Sequence, residues 1–355
     1  MEIDKFASFS REQMTLKERT EAFSGLGSIL MDSLDGRETR YSTALNELID
    51  RQQYVNPWFT PDNVRHSVKT LASQLTMKNL TAWTGRYHEL EGNDLPCTVG
   101  IVMAGNVPLV GFHDFMSVLI SGNRVLAKTS SKDPDLIVFL GDILCILNPG
   151  FRERISFTDG LLRGFDRVIA TGSDNSSRYF EYYFGKYPHL IRKNRNGVAI
   201  LDGTETNEEL SLLGADIFTY FGLGCRSVSM LYVPEKYSIG ELSSKWNSYS
   251  DVISHNKYAN NYDYNKAIYM VNREDFTDNG FLLLRESSQT ASPVAVLHYQ
   301  RYAGENVPLT EITGKSDKIQ CIISRKHIPF GKAQSPELWD YADGIDTIEF
   351  LLKKN

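Results

Sequence analysis

The stretch that decides the fold is CTVGIVMAGNVPLVGFHDF, residues 97–115. The run that ends at Gly105 is almost continuously apolar, as in a strand that is buried on both faces of a sheet. Apolar residues then recur at helical spacing, including Val110 and Phe115, and Pro108 helps to open the predicted helix. A buried strand that leads into a helix predicts the first half of a β-α-β unit in a parallel sheet.

The same alternation continues along the chain. Further strands are predicted for RVLAKTS (124–130), RISFTDG (154–160), DRVIATGS (166–173) and GVAILDG (197–203). Helices are predicted for DPDLIVFLGDILCIL (133–147), with Asp133 as its cap and Pro134 in its first turn, and for DNSSRYFEYYFGK (174–186). This alternation predicts an α/β fold, with a mainly parallel sheet covered by helices on both faces.

The flanking parts of the chain are less regular. Residues 1–95 are predicted to be largely helical, with Asp62 or Asn63 as the cap of one helix. After residue 205, helices are predicted for residues 206–221 and 239–249, and strands for VSMLYVP (228–234), KAIYMVN (266–272), VAVLHYQ (294–300) and QCIISR (320–325). The tyrosine-rich segment HNKYANNYDYN (255–265) has no pattern that assigns it.

Composition bounds the class of protein. The chain has 355 residues, which suggests two packed lobes, and its 41% hydrophobic and 23% charged residues are ordinary for a soluble globular protein. The net charge of −6 gives no general attraction to nucleic acid or to anionic membranes. Since no secretory signal and no apolar run of roughly 18 residues is present, we expect a cytoplasmic protein without a membrane span.

Four cysteines are present, and none belongs to a CxxC pair, so neither a zinc site nor any other metal site is predicted. Cys97, Cys145 and Cys321 lie in apolar runs and are expected to be core residues. Cys225 lies instead in GLGCRS, between glycines and Arg226. A neighbouring cation favours the thiolate, glycines allow a substrate to approach, and backbone N–H groups can bind an oxyanion. The alternative is a turn that happens to contain a cysteine.

Polar residues follow several strands at the edge of a parallel sheet where ligands bind. Asn106 follows the first strand and can donate to an oxyanion, or simply cap the helix. Lys128 ends the second strand and can hold a ribose or a phosphate, or simply be solvated. Gly172 and Ser173 form a turn before a helix, where a phosphate can bind. The chain has neither GxGxxG nor GxxxxGK[ST], which disfavours a standard Rossmann dehydrogenase and a P-loop enzyme.

Taken in order, the segment at residues 105–134, the ATGS turn and GCRSV resemble the acyl-CoA reductase family, LuxC-like proteins of the aldehyde dehydrogenase superfamily. PFGKAQSPELWDYADGIDTIEFL, residues 329–351, resembles the closing segment of that family. The resemblance implies an aldehyde dehydrogenase-like fold with two parallel-sheet α/β domains. It implies NAD(P)H-dependent reduction of an acyl thioester, from CoA or an acyl carrier, to an aldehyde.

The resemblance also implies roles for individual residues. Cys225 would be the nucleophile that holds the acyl group, and Asn106 would stabilise the oxyanion. Lys128 and the Gly172-Ser173 turn would contact the cofactor's ribose and pyrophosphate. Where the superfamily often carries a ribose-binding glutamate, this chain has Ser131, followed by a lysine. This difference favours NADPH, with NADH as the alternative.

A second difference concerns deacylation. Hydrolytic aldehyde dehydrogenases activate water with a glutamate, whereas the matching region here, HLIRKNRNGVAILDG (189–203), contains none. Arg226 would either favour the Cys225 thiolate, hold a phosphate, or pair with a structural carboxylate. His113 or His255 could protonate the leaving thiol, although a lone histidine is more often simply packed or solvated.

We expect a mostly helical segment over residues 1–95 and a nucleotide-binding domain over 96–197, which also includes part of that helical segment. A catalytic domain is expected over 198–325. Residues 326–355 would return to the first domain or to an oligomer interface, since the superfamily is commonly homo-oligomeric. Family members often act beside an acyl-activating enzyme. Alternatives are a cysteine acyltransferase or thioesterase without hydride transfer, an aldehyde dehydrogenase, an acyl-phosphate reductase, and a catalytically silent acyl-binding subunit.

Overall fold

The computed structural model describes residues 14–92, 96–304 and 307–353. Four helices come first: α1 (Leu16–Leu34), α2 (Ser42–Val55), α3 (Pro61–Gln74) and α4 (Met77–Thr84). Thr60 caps α3, because its side chain accepts a hydrogen bond from the Asn63 N–H, and Pro61 occupies the first turn. The prediction of Asp62 or Asn63 as the cap was therefore wrong by two or three residues.

The first sheet is wholly parallel, with the strand order β3-β2-β1-β4-β5. Its strands are β1 (Thr98–Val102), β2 (Arg124–Lys128), β3 (Ile155–Thr158), β4 (Arg167–Thr171) and β5 (His189–Arg192). The helices that connect them are α5 (Phe112–Ile120), α6 (Leu136–Leu147) and α7 (Asp174–Phe184). The prediction that Asp133 caps α6 was wrong. The cap position is Asp135, and the buried Asp133 carboxylate accepts the Leu109 N–H at 2.8 Å.

The second sheet has the order β11-β6-β7-β10-β9-β8 and is parallel except for β8. Its strands are β6 (Asn196–Ile200), β7 (Val228–Pro234), β8 (Thr277–Asp278), β9 (Leu283–Glu286), β10 (Val296–Tyr302) and β11 (Ile319–Ile323). The remaining helices are α8 (Asn207–Phe218), α9 (Ile239–Ser244), α10 (Asn256–Asn272), α11 (Val307–Gly314) and α12 (Thr347–Leu352). Short 3-10 helices occupy residues 88–91, 149–153, 219–222, 247–254, 316–318 and 342–344.

Two predictions in this half of the chain were wrong. KAIYMVN is the end of α10 and not a strand, and the tyrosine-rich segment before it forms the rest of that helix. The helix predicted for residues 239–249 ends at Ser244 and is followed by a 3-10 helix. In α10 the side chains of Tyr258, Tyr262 and Tyr269 face inward, where they pack with Phe221.

The two sheets are joined by a short connection. β5 ends at Arg192 and β6 begins at Asn196, so only three residues connect the sheets. Residues that follow β1 and β5, or precede β6, β7, β10 and β11, line one cleft between them.

The segment after β11 returns to the first sheet. Ile348 and Leu351 of α12 are buried in the core that contains α1, α5 and β1. The Arg192 guanidinium forms a buried ion pair with Asp114 at 2.7 Å and also donates to the Thr347 hydroxyl at 2.8 Å. Among the described residues, no helix is long and apolar enough to cross a membrane.

Candidate active site

Cys225 lies on a tight turn between α8 and β7. The Gly224 carbonyl accepts the Ser227 N–H at 2.9 Å, which closes a four-residue turn with Cys225 at its second position. The chain reaches this turn through Tyr220 and Phe221, both at φ 56°, a left-handed conformation that is unfavourable for residues with a Cβ. Backbone strain of this kind is concentrated at functional sites.

The turn opens into a cleft of about 810 Å³. Most of the residues that line it have polar side chains; the lining comprises Asn106, Lys193, Asn194, Arg195, Asn196, Gly222, Leu223, Gly224, Cys225, Ser288, Gln289, Thr290, Ala291, Ser292, Val294, Lys315, Asp317 and Lys318. The structure thus brings Asn106 and Cys225, which are far apart in sequence, to the same cavity. The Asn106 side-chain amide donates to the Leu223 carbonyl at 2.9 Å, which attaches it to the loop that carries the cysteine.

The electrostatic environment of Cys225 has two opposing parts. Burial raises the pKa of the Cys225 thiol above its usual value, and the carboxylate of Asp343 acts in the same direction. The backbone N–H and the guanidinium of Arg195 act in the opposite direction, because both favour the thiolate. The Arg195 guanidinium forms an ion pair with Asp343 at 3.0 Å, and both side chains are largely buried.

Arg226, the cation that the sequence placed beside Cys225, points elsewhere. Its Nε donates to the Ala333 carbonyl at 2.5 Å. Burial raises the pKa of Asp216 to about 6, and the charge of Arg226 opposes this rise. Asp216 in turn accepts the N–H groups of Gly331 and Ala333. Of the alternatives considered for Arg226, this geometry favours a structural role.

The opposing effects on Cys225 predict a pH dependence. We expect its alkylation by iodoacetamide to accelerate with pH through a midpoint above the value of about 8.5 for a free thiol, because only the thiolate reacts. Arg195→Gln should move the midpoint still higher, since it leaves the Asp343 carboxylate unopposed. The matched control is Lys193→Gln, which removes a cation from the same cleft. A midpoint below that of a free thiol would contradict this account.

The residues expected to hold a cofactor lie along the carboxyl edge of the first sheet. The Lys128 ammonium donates to the carbonyls of Asp159 and Gly160, both at 2.7 Å. Ser131 is exposed beyond the end of β2. Ser173 caps α7, and its hydroxyl accepts the Ser176 N–H at 3.3 Å.

Two glycines allow close packing along this edge of the sheet. A Cβ at Gly172 would lie 2.7 Å from the Phe180 ring, and a Cβ at Gly105 would lie 2.4 Å from the Ser130 hydroxyl oxygen. Neither position can take a side chain without displacement of its neighbours. Lys128, Ser131 and Ser173 supply an ammonium group, hydroxyls and the N-terminus of a helix along this edge, which are suitable donors for an anionic nucleotide.

Neither histidine that was considered as an acid lines the cleft formed by the described residues. His113 lies in α5 with Nε2 2.8 Å from the Leu338 carbonyl oxygen, and burial lowers its pKa. His255 caps α10 through Nδ1, and its Nε2 lies 2.8 Å from the Pro57 carbonyl oxygen. Both histidines have structural partners, as the simpler interpretation expected.

The sequence interpretation missed Arg195 and Asp343. Arg195 lies within HLIRKNRNGVAILDG, which was noted only for its lack of glutamate. Asp343 lies more than one hundred residues further along, at φ 61°, with its N–H held by the Gln320 side chain at 3.1 Å. A non-glycine residue in this conformation signals constraint, but no local sequence pattern reveals it.

Comparison with known proteins identifies the family. The family model described as acyl-CoA reductase (LuxC) matches residues 37–251. Long-chain acyl-protein thioester reductase 2 of Photobacterium leiognathi is 23% identical over 192 residues, which cover 49% of this chain and 40% of that relative. The match thus spans less than half the length of that curated relative.

Solved structures show the same fold at low identity. Aldehyde dehydrogenase 21 from Physcomitrella patens, solved with succinate, is 12% identical with a TM-score of 0.65, over 96% of this chain and 84% of that chain. An aldehyde dehydrogenase of Mycobacterium tuberculosis complexed with NAD+ is 13% identical with a TM-score of 0.59, over 84% and 70% respectively. The predicted family and fold class are confirmed: the chain belongs to the LuxC acyl-CoA reductase family and has the α/β fold of the aldehyde dehydrogenase superfamily.

Proposed function

We propose that this protein reduces an acyl thioester to an aldehyde through an acyl-enzyme intermediate on Cys225, with a reduced nicotinamide as the hydride source. The observation that carries the proposal is the placement of Cys225, Asn106 and Arg195 around one cleft. A thiol nucleophile, an amide donor and a cation are the groups that acyl transfer to a cysteine requires.

In the acylation step the Cys225 thiol loses its proton and Sγ bonds to the thioester carbonyl carbon. The carbonyl oxygen becomes an oxyanion, which the Asn106 amide and the Cys225 backbone N–H stabilise. The bond to the carrier sulfur then breaks, the carrier sulfur takes from solvent a proton like the one that Cys225 gave up and leaves as a thiol, and the acyl group stays on Cys225. Arg195 favours this step because its charge and its N–H stabilise the thiolate.

The cleft is poorly equipped to hydrolyse that intermediate. Among the described residues that line it, only Asp317 has a carboxylate. The nearby Asp343 is paired with Arg195 at 3.0 Å, so it is occupied and cannot readily activate water. An acyl group on Cys225 should therefore persist until it is reduced or returned to a thiol.

The carboxyl edge of the first sheet suits a nicotinamide dinucleotide. Lys128, Gly172 and Ser173 would hold its ribose and pyrophosphate groups, and Ser131 would lie near the adenosine ribose. When bound there, the cofactor supplies the hydride that releases the acyl group as an aldehyde. Ser131 and the neighbouring Lys132 are both exposed, and neither has a carboxylate that would repel a 2′-phosphate. This supports NADPH as the cofactor.

The carrier and the partners belong to the same proposal. A CoA or acyl-carrier thioester would enter the cleft, and an acyl-activating enzyme would supply it. The cleft-lining cations Lys315 and Lys318 would favour a carrier that bears phosphate groups.

The test combines a panel of acyl-CoAs of graded chain length with NADPH, nicotinamide absorbance, and intact-mass analysis of the protein. NADPH consumption with an acyl adduct on Cys225 supports the proposal. An adduct without consumption would indicate an acyltransferase or a thioesterase. If neither CoA thioesters nor carrier thioesters give an adduct or consumption, the proposed reaction is wrong.

Ser131→Glu should change the choice of nicotinamide cofactor. A carboxylate at this position would repel the 2′-phosphate and could accept hydrogen bonds from the ribose hydroxyls of NADH. We expect the ratio of kcat/KM for NADPH to that for NADH to fall at least about tenfold. Lys132→Gln provides the complementary test, since it should weaken NADPH with little effect on NADH. An unchanged ratio in both variants would place the 2′-phosphate elsewhere.

A further inference from the structure

The segment that follows β11 contacts the Cys225 turn, residues 224–227. The Gln334 side-chain amide donates to the Ser227 hydroxyl oxygen at 3.1 Å. Ser227 is the last residue of the turn and is buried, whereas Gln334 is half-buried. Neither residue is among the described residues that line the cleft, so this bond acts behind the site rather than in it.

Ser227 closes the Cys225 turn with two hydrogen bonds of its own. Its N–H donates to the Gly224 carbonyl at 2.9 Å, and its hydroxyl oxygen accepts the Gly224 N–H at 3.2 Å. A hydroxyl oxygen has two lone pairs, so it can accept the Gly224 N–H and the Gln334 amide together, and neither bond uses its single proton. The Ser227 hydroxyl thus joins the turn to the Gln334 side chain.

The geometry of the turn determines what Cys225 can offer to a substrate. In a four-residue turn the first carbonyl and the last N–H bond to each other, and the N–H groups of the two central residues take no part in that bond. Cys225 is the first central residue, so its Sγ and its N–H are placed by how firmly Gly224 and Ser227 are held. A Cβ at Gly224 would lie 3.5 Å from Val107 and 3.6 Å from Gln334, so both side chains lie close to the turn.

Gln334 belongs to a segment that is fixed on both sides of it. On one side, the buried Asp216 carboxylate of α8 accepts the N–H groups of Gly331 and Ala333 at 2.7 and 2.8 Å. On the other side, Leu338 is buried in the core of the first sheet. Because the backbone is held at both ends, the Gln334 amide needs little further ordering to hold the turn.

We propose that Gln334 is a positioning residue that fixes the Cys225 turn relative to the Asn106 amide. It acts through the Ser227 hydroxyl and touches neither substrate nor cofactor. The inference rests on the proposed function, which gives the thiol and the Asn106 amide their roles. Without the Gln334 amide, the turn keeps its internal bonds and the Arg226 bond described above, but it loses the bond that holds its last side chain.

The kinetic test uses Gln334→Leu, with Lys332→Leu as the matched control at an exposed position of the same segment. Leucine is similar in size to glutamine and has no donor. Gln334→Leu should lower kcat about tenfold, because small displacements of reacting groups are costly, and should leave the dissociation constant for NADPH unchanged. Iodoacetamide should alkylate Cys225 at nearly the wild-type rate, since this reagent needs no oxyanion donor. An unchanged kcat would overturn the inference.

A double-mutant cycle with Ser227→Ala separates the proposed route from other effects of Gln334. Ser227→Ala should lower kcat at least as much as Gln334→Leu, since the Gly224 N–H loses its acceptor as well. In the Ser227→Ala background, Gln334→Leu should have little further effect. A loss that persists undiminished in that background would overturn the inference. This outcome differs from failure of the proposed function, in which the wild-type protein itself would show no adduct and no reduction.

Hydrogen exchange gives a readout that does not depend on activity. Gln334→Leu should accelerate amide exchange in the segment that contains the turn, residues 222–228, whereas Lys332→Leu should not. Faster exchange in this segment supports the anchoring of the Cys225 turn by Gln334, even if the substrate class proves to be different. Unchanged exchange there would overturn the inference.

Discussion

Cys225→Ala is expected to lower thioester reduction by on the order of 10⁴-fold or more and to abolish the acyl adduct, because the variant has no nucleophile to form the intermediate. Binding of NADPH should be retained, since the residues proposed to hold it lie on the first sheet. Steady-state reduction, intact-mass analysis and a fluorescence titration of NADPH measure the three quantities.

Cys145→Ser is the matched control for this prediction, because Cys145 lies in α6 and is packed against the first core. It should leave the adduct and the turnover rate nearly unchanged. Full turnover by Cys225→Ala would show that the acyl group is carried elsewhere or is never covalently bound.

Asn106→Ala has the second-largest expected effect. Removal of one oxyanion donor costs about 10²- to 10³-fold in kcat in other enzymes that use such a donor, and we expect a loss in this range. KM should change little, because the amide acts mainly on charge that develops in the transition state. Asn260→Ala, at an exposed position of α10, is the control.

Single-turnover acylation separates this prediction from a simple loss of structure. In Asn106→Ala, Cys225 should still become acylated, but slowly, and iodoacetamide should alkylate it at nearly the wild-type rate. If acylation stays fast while reduction slows, the oxyanion is stabilised by other groups during acylation, and the role assigned to Asn106 must be revised.

The sequence predicted the family, the fold class and most strands, because buried parallel strands are continuous apolar runs and the motifs follow one another in a characteristic order. The errors occurred where tertiary contacts outweigh local pattern. KAIYMVN alternates enough to suggest a strand, yet α10 packs tyrosines inward along its length and stays helical. Asp133 precedes an apolar run as a cap would, but it is buried and bonds to Leu109 instead.

The site was only partly predictable, for a related reason. Asn106 and Cys225 lie in recognisable motifs at the ends of predicted elements, so sequence could nominate them. Arg195 and Asp343 act through a contact between segments that lie far apart along the chain. Such contacts depend on how the two sheets and the N-terminal helices pack, which no local spacing reveals.

The return of α12 to the first sheet has a consequence for biosynthesis. Ile348 and Leu351 fill a core whose other buried residues, apart from Leu338, come from residues 14–190. A nascent chain must therefore expose this apolar cavity while the whole second sheet is translated, and the cavity closes only after residue 352 has left the ribosome. The first sheet should then be a favoured binding site for chaperones throughout synthesis, and a premature stop before residue 347 should yield an aggregation-prone product that contains every proposed catalytic group.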